Sequence, residues 1–238
     1  MRPQKFTASL NGSSAAPEVS EQQIEAARYV VLRRLAPCLR HHMVRPLQPI
    51  GLIYGVMHHK LSAIEPDLKS VRQEADKINE FAKAALVECV DMGTWLAPEP
   101  GILTEVSAGV RECVGLLATM LHFCGFRLEN EVDEMPVHVQ RDAMRMVLSA
   151  ALLELTDSMT RPAILTIRAA VSKAEVTLYL QVSQNGEGCV ERYDDGYRKL
   201  VWRDVQALAA AENVSLSREE DQVTMCFAVE PAAQVPVH

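Results

Sequence analysis

A chain of 238 residues with 48% hydrophobic side chains is long enough for two small domains or one large one around a buried core. Aromatic residues make up only 5%, so Leu, Val, Ala and Met must fill that core, and a net charge of −7 argues against a non-specific nucleic-acid binder, which needs a basic surface. The six cysteines form no CxxC pair, which argues against a disulfide frame or a zinc site and predicts reduced thiols in the cytoplasm. The longest apolar run, Val114 to Phe126, is too short to span a bilayer, and no apolar h-region follows the N-terminal basic residues. Neither a membrane span nor a signal peptide is expected.

Residues 1–20 are rich in Ser, Ala, Asn and Pro and predict a disordered tail. From Glu21 an apolar stripe runs Leu32, Leu35, Leu39, Met43, Pro46, Ile50, Ile53, Met57, Leu61, Ile64, in helical steps of three and four. Glu65-Pro66-Asp67 breaks it. A second stripe, Leu68, Val71, Ala75, Ile78, Ala82, Ala85, Cys89, Met92, alternates steps of three and four as a heptad does. Two long helices over 21–95 predict an antiparallel hairpin. One hairpin cannot hide both stripes, so two copies are expected to pair as a four-helix bundle.

Gly93 to Gly101, with Pro98 and Pro100, reads as a linker, and 102–230 as a mixed unit. Helices are predicted for Thr104 to Cys124, Asp142 to Met159 and Arg198 to Ala211. Strands are predicted for Arg127 to Val132, Val137 to Val139, Ile164 to Ala170, Glu175 to Val182, Val214 to Ser217 and Gln222 to Val229. Consecutive strands without an intervening helix predict an α+β sandwich, with a short tail over 231–238.

The most informative segment is Leu39-Arg40-His41-His42-Met43-Val44-Arg45-Pro46-Leu47-Gln48-Pro49-Ile50. At about 100° per residue, His41 lies about 200° from Leu39 and points to solvent, whereas His42 flanks the apolar stripe. Arg33, Arg34, Arg40 and Arg45 surround the pair, which favours a neutral imidazole able to attack phosphorus and supplies cations for phosphate oxygens. A surface histidine on a solvated face is the plain alternative. Three prolines (Pro37, Pro46, Pro49) each cost roughly 3 kcal/mol inside a helix and demand packing or a kink.

This segment resembles the H-box of histidine kinases, in which a phosphoacceptor His precedes an acidic residue, a hydrophobic one, and then Pro and Leu. His41 falls on the acceptor position, and Met43, Pro46, Leu47 and Ile50 on the hydrophobic and proline positions. The family carries the proline kink. His42 stands where the activating acid belongs, and Arg45 where an Asn or Thr positions water. The resemblance therefore withdraws support for self-kinase and phosphatase activity, and leaves Arg40, His42 and Arg45 as residues that support phosphate and dock a receiver.

The second half resembles the ATP-binding domain of the same family, so the likeness spans residues 24–230. Ala150 and Glu154 occupy the asparagine positions of its N-box helix. Gln184 replaces the adenine-binding aspartate of the first glycine box, which retains Gly186 and Gly188. The second glycine box is reduced to Asp195-Gly196-Tyr197-Arg198-Lys199-Leu200-Val201, with one glycine, too bulky to cradle phosphates. The pattern is closest to bacterial histidine phosphotransferases built as kinase-like dimers with a degenerate nucleotide domain. It implies a cytoplasmic phosphorelay protein that carries phosphoryl on His41 to or from response-regulator receiver domains, one of which can belong to a hybrid histidine kinase. It implies no cofactor and no metal of its own, the receiver supplying magnesium, and no nucleic-acid or membrane partner. A non-catalytic module that binds receivers or kinases is the alternative, and a kinase with an unusual ATP site the third.

Overall fold

The computed structural model describes residues 20–184, 190 and 197–231. The expected tails and the glycine-box residues Gly186 and Gly188 therefore lie outside the described residues, apart from Ser20 and Pro231. The architecture is α+β: a helical N-terminal region followed by a sheet layered with helices.

Helix α1 (Glu21–Val44) is started by Ser20, whose hydroxyl accepts the Gln23 N–H at 3.3 Å. It runs through Pro37, then tightens into a 3-10 turn (Arg45–Leu47) and continues as α2 (Gln48–Leu61). Pro46 and Pro49 sit in the first turns of these two segments, where a helix has no use for the missing N–H. Asp67 caps α3 (Leu68–Leu96) by accepting from the Lys69 and Ser70 N–H groups. Helices α2 and α3 pack along each other as a projecting arm, tied near its tip by Lys60 to Glu74 at 2.8 Å.

Beyond the linker come β1 (Leu103–Glu105), α4 (Val106–Phe123), β2 (Phe126–Asn130), β3 (His138–Gln140), α5 (Arg141–Ser158), β4 (Ala163–Val171), β5 (Glu175–Gln184), α6 (Trp202–Ala211), β6 (Ser215–Arg218) and β7 (Gln222–Ala228). The main sheet has the order β2-β4-β5-β7-β6, with β2 parallel to β4 and the remaining pairs antiparallel. Strand side chains alternate across it. Leu165, Ile167, Val176, Leu178, Leu180, Val223, Met225 and Phe227 are buried under the helices, while most residues of the opposite face are partly exposed. Helices α4 and α5 approach closely at Gly109, where a Cβ would come within 2.9 Å of Met144. Gly125, with φ +90°, turns the chain out of α4 into β2.

Two expectations are corrected. Leu103–Glu105 does not begin a helix; it pairs antiparallel with β3, in register Leu103 to Gln140. The stripe of α1 is not left for a hairpin partner alone. Ala27, Val30, Val31, Leu35 and Leu39 are almost fully buried, with α1 packed on α4, α5 and α6 as well as on α3. The last turn of α3 is bolted to the sandwich in turn. Trp95 donates to Glu112 at 3.0 Å, and the Arg145 guanidinium stacks 4.6 Å above its ring while pairing with Glu112.

Candidate functional site around His41

His41 sits in the last turn of α1, immediately before the 3-10 turn, and its side chain is exposed. The Arg45 N–H still closes on the His41 carbonyl, so helical geometry carries Arg45 onto the same face one turn on. Arg40 and Arg45 are exposed, and Arg45 lies 3.8 Å from Glu88. Arg34 is corrected: it does not belong to the cationic surround of His41. It is buried, and it donates to Asp157 of α5 at 2.8 Å.

His42 faces the other way and is half-buried. Burial, followed by the nearby Arg45 charge, holds its pKa below the ordinary imidazole value. The two imidazoles stand edge to face, centroids 6.1 Å apart. His42 therefore stands between α1 and α4, with His41 beside it. Both rings border a pocket of about 220 Å³ whose other walls are Pro37, Cys38, Leu116, Thr119, Met120, Phe123 and Cys124. Burial pushes the Cys38 thiol up to about 11, so it behaves as an apolar wall.

Three intramolecular ion pairs lie at the ends of α5 and α6, two near the C-terminal end of α5 and one at the start of α6. Glu154 is buried, and both its oxygens accept from Arg218 Nη1 at 3.0 Å, the guanidinium lying over Trp202 at 5.1 Å. One turn on, Asp157 takes Arg34. Desolvation raises its pKa above the usual carboxylate range despite that partner. At the start of α6, Asp204 accepts the Val201 N–H at 3.1 Å and pairs with Arg198 at 2.6 Å. The positive end of α6 thus already holds a carboxylate, the kind of group that would otherwise compete with a phosphate for it. Gln184 ends β5, exposed and paired in register with Ala163.

The structure brings His41, His42, Arg40 and Arg45 to one end of α1, and places Glu154 on α5 and Gln184 at the end of β5, in the sandwich. Sequence reasoning missed the α4 wall beside His41 and the Arg34–Asp157 pair. The largely apolar run of Val114 to Phe126 was the available signal for the first.

No protein-family model matches the chain, and no curated protein matches it. Solved structures with similar outlines include an Acinetobacter baumannii histidine kinase, AdeS (14% identity, 81% of this chain and 98% of that one, TM-score 0.41). Histidine kinase ThkA in complex with response regulator TrrA is another (15% identity, 91% of this chain and 67% of that one, TM-score 0.40). A bacterial phosphotransferase is a third (10% identity, 87% of this chain and 97% of that one, TM-score 0.36). Likeness at this level is one of outline.

Proposed function

We propose that this chain is a histidine phosphotransferase of a two-component phosphorelay, working as a homodimer in the cytoplasm and carrying phosphoryl on His41. The observation that carries the reading is an exposed imidazole on a helix locked to the sandwich on its other face, flanked by Arg40 and Arg45. A receiver domain provides aspartyl-phosphate and magnesium. A ring nitrogen of His41 attacks phosphorus with its lone pair. The P–N bond forms as the bond to the aspartyl oxygen breaks, the carboxylate leaves with the electron pair, and the imidazole proton passes to water. Onward transfer to a second receiver reverses these steps. The chain need only present the nucleophile in position, which is where most of the rate advantage of such a transfer resides.

The ion pairs at the ends of α5 and α6 support a carrier over a kinase. Glu154, Asp157 and Asp204 are each neutralised by an arginine of the same chain, so opening those ends to ATP would strand buried charges. The α2–α3 arm supports the dimer. No residue of α2 is buried, and Leu52, Leu86, Val87 and Val90 are each more than 60% exposed.

The test uses purified receiver domains of the source cell, each loaded with acetyl phosphate. At least one labels the wild type with an acid-labile, base-stable phosphoramidate, and His41→Gln abolishes the label. A labelled His41→Gln chain refutes the site. Receivers that bind but never label make the chain a docking module instead.

A further inference from the structure

The pocket beside His41 is the feature the phosphotransfer chemistry leaves unused. It is bounded by α1 on one side and by α4 on the other, so it exists only where the buried face of α1 packs against α4. Its nine lining residues include no acid and, apart from the two histidines and Thr119, present only carbon and sulfur. At about 220 Å³ it fits one large side chain, well short of the roughly 300–1,000 Å³ of sites that hold a small molecule. At its border stands Phe123, the last residue of α4 and 75% exposed. A cavity for one apolar side chain, edged by an open aromatic and by charge, has the make-up of the centre of a protein interface.

The charge next to it selects the partner. Arg40 and Arg45 are exposed on either side of the histidine pair, although the chain as a whole carries −7. An anionic surface is therefore drawn to this one end of α1. We infer that the α1–α4 pocket is a docking socket that takes one apolar side chain of a receiver domain, presented next to that domain's acidic phosphorylation cluster. The inference rests on the phosphotransfer reading and deepens it. The sandwich then has a use without nucleotide: α4 supplies half of the recognition surface, while α1 supplies the nucleophile.

The socket makes docking separable from histidine chemistry. Thr119→Trp fills it from an exposed position, and Phe123→Asp places an anion at its border. Two donors are compared on each variant: phosphoramidate, which needs no docking, and the acetyl-phosphate-loaded receiver found with the wild type. Phosphoramidate labels His41 in both variants within about twofold of the wild type. The KM for the receiver rises at least tenfold in both, with kcat changed far less. Wild-type KM in both variants overturns the socket and leaves phosphotransfer standing. Parallel loss with both donors also overturns it, because the substitutions then act on the histidine. A change in oligomeric mass with receiver KM intact assigns the pocket to a second copy of this chain and refutes the inference. If no receiver labels the wild type, the functional reading itself fails, a result distinct from all of these.

Discussion

Helices α5 and α2 teach opposite lessons about the same amphipathic pattern. Every residue of α5 from Val147 to Thr156 is buried, whereas α2 buries none. The difference lies in what each meets. Helix α5 lies over the closed face of a five-stranded sheet, between α4 and α6, and takes part in one contiguous core. Helix α2 packs chiefly on α3 and the 3-10 turn, and the pair leave Leu52, Leu86, Val87 and Val90 exposed. The sandwich is complete within one chain; the arm leaves apolar side chains uncovered. Helix α1 belongs to both, since its middle turns, Ala27 to Leu39, are core and its last turn presents His41.

The comparison breaks hardest where the two regions are joined. The Arg34 and Asp157 side chains are only 7% and 11% exposed, so Arg34→Ala leaves a carboxylate buried without its partner. A loss of about 3–5 kcal/mol at pH 7, read from urea unfolding, is expected. The sign with pH follows from Asp157. Its folded pKa is raised above the unfolded value, so its contribution favours the fold at low pH and is lost as pH rises through the folded pKa. Removing Arg34 raises that pKa further. The Arg34→Ala penalty is therefore largest near neutrality and shrinks on acidification, and Asp157→Asn in the same chain relieves part of it. A penalty independent of pH would show that lost packing, not the pair, is responsible.

Within the sandwich, Leu152→Ala empties a fully buried site and costs about 2–5 kcal/mol in the same experiment. On the arm, Ile64→Ala at the fully exposed turn changes stability by less than about 0.5 kcal/mol. Equal costs would mean that the arm tip is covered in solution.

Much of this contrast was legible in the sequence. The alternation in β4, β5 and β7 and the heptad of α3 are properties of local spacing, and the structure keeps them within a few residues. The outward aim of His41 is legible for the same reason, since it needs only the helical angle from Leu39. What was not legible depends on partners distant in the chain. Three residues at Leu103–Glu105 become a strand only because β3 pairs with them. Arg34 is buried because Asp157, 123 residues on, receives it, and without that partner Arg34 reads as one more surface cation beside the histidines. The socket escapes notice likewise, because its α4 wall begins more than seventy residues after His41. Composition and periodicity report which face of a helix is apolar, and not which of two apolar surfaces will cover it.

The smallest effect on the fold should come from the change with the clearest effect on assembly. Leu86 and Val90 lie four residues apart on α3, one turn along a single exposed face, while Ala85 and Met92 turn inward. If two arms pair about a two-fold axis, each added carboxylate on that face meets the added carboxylates of the other copy as well as losing apolar burial. Leu86→Glu with Val90→Glu should therefore lower the mass by light scattering from two chains to one. The wild-type melting temperature should rise with protein concentration, because association stabilises only the folded chain, and that dependence should vanish in the variant. Unfolding of the sandwich should shift by less than about 0.5 kcal/mol, since both residues are already in water in the single chain. A monomeric wild type would remove the two-fold arm. A variant that stays dimeric would move the interface to another surface, leaving the bare face of α2 and α3 to some other partner.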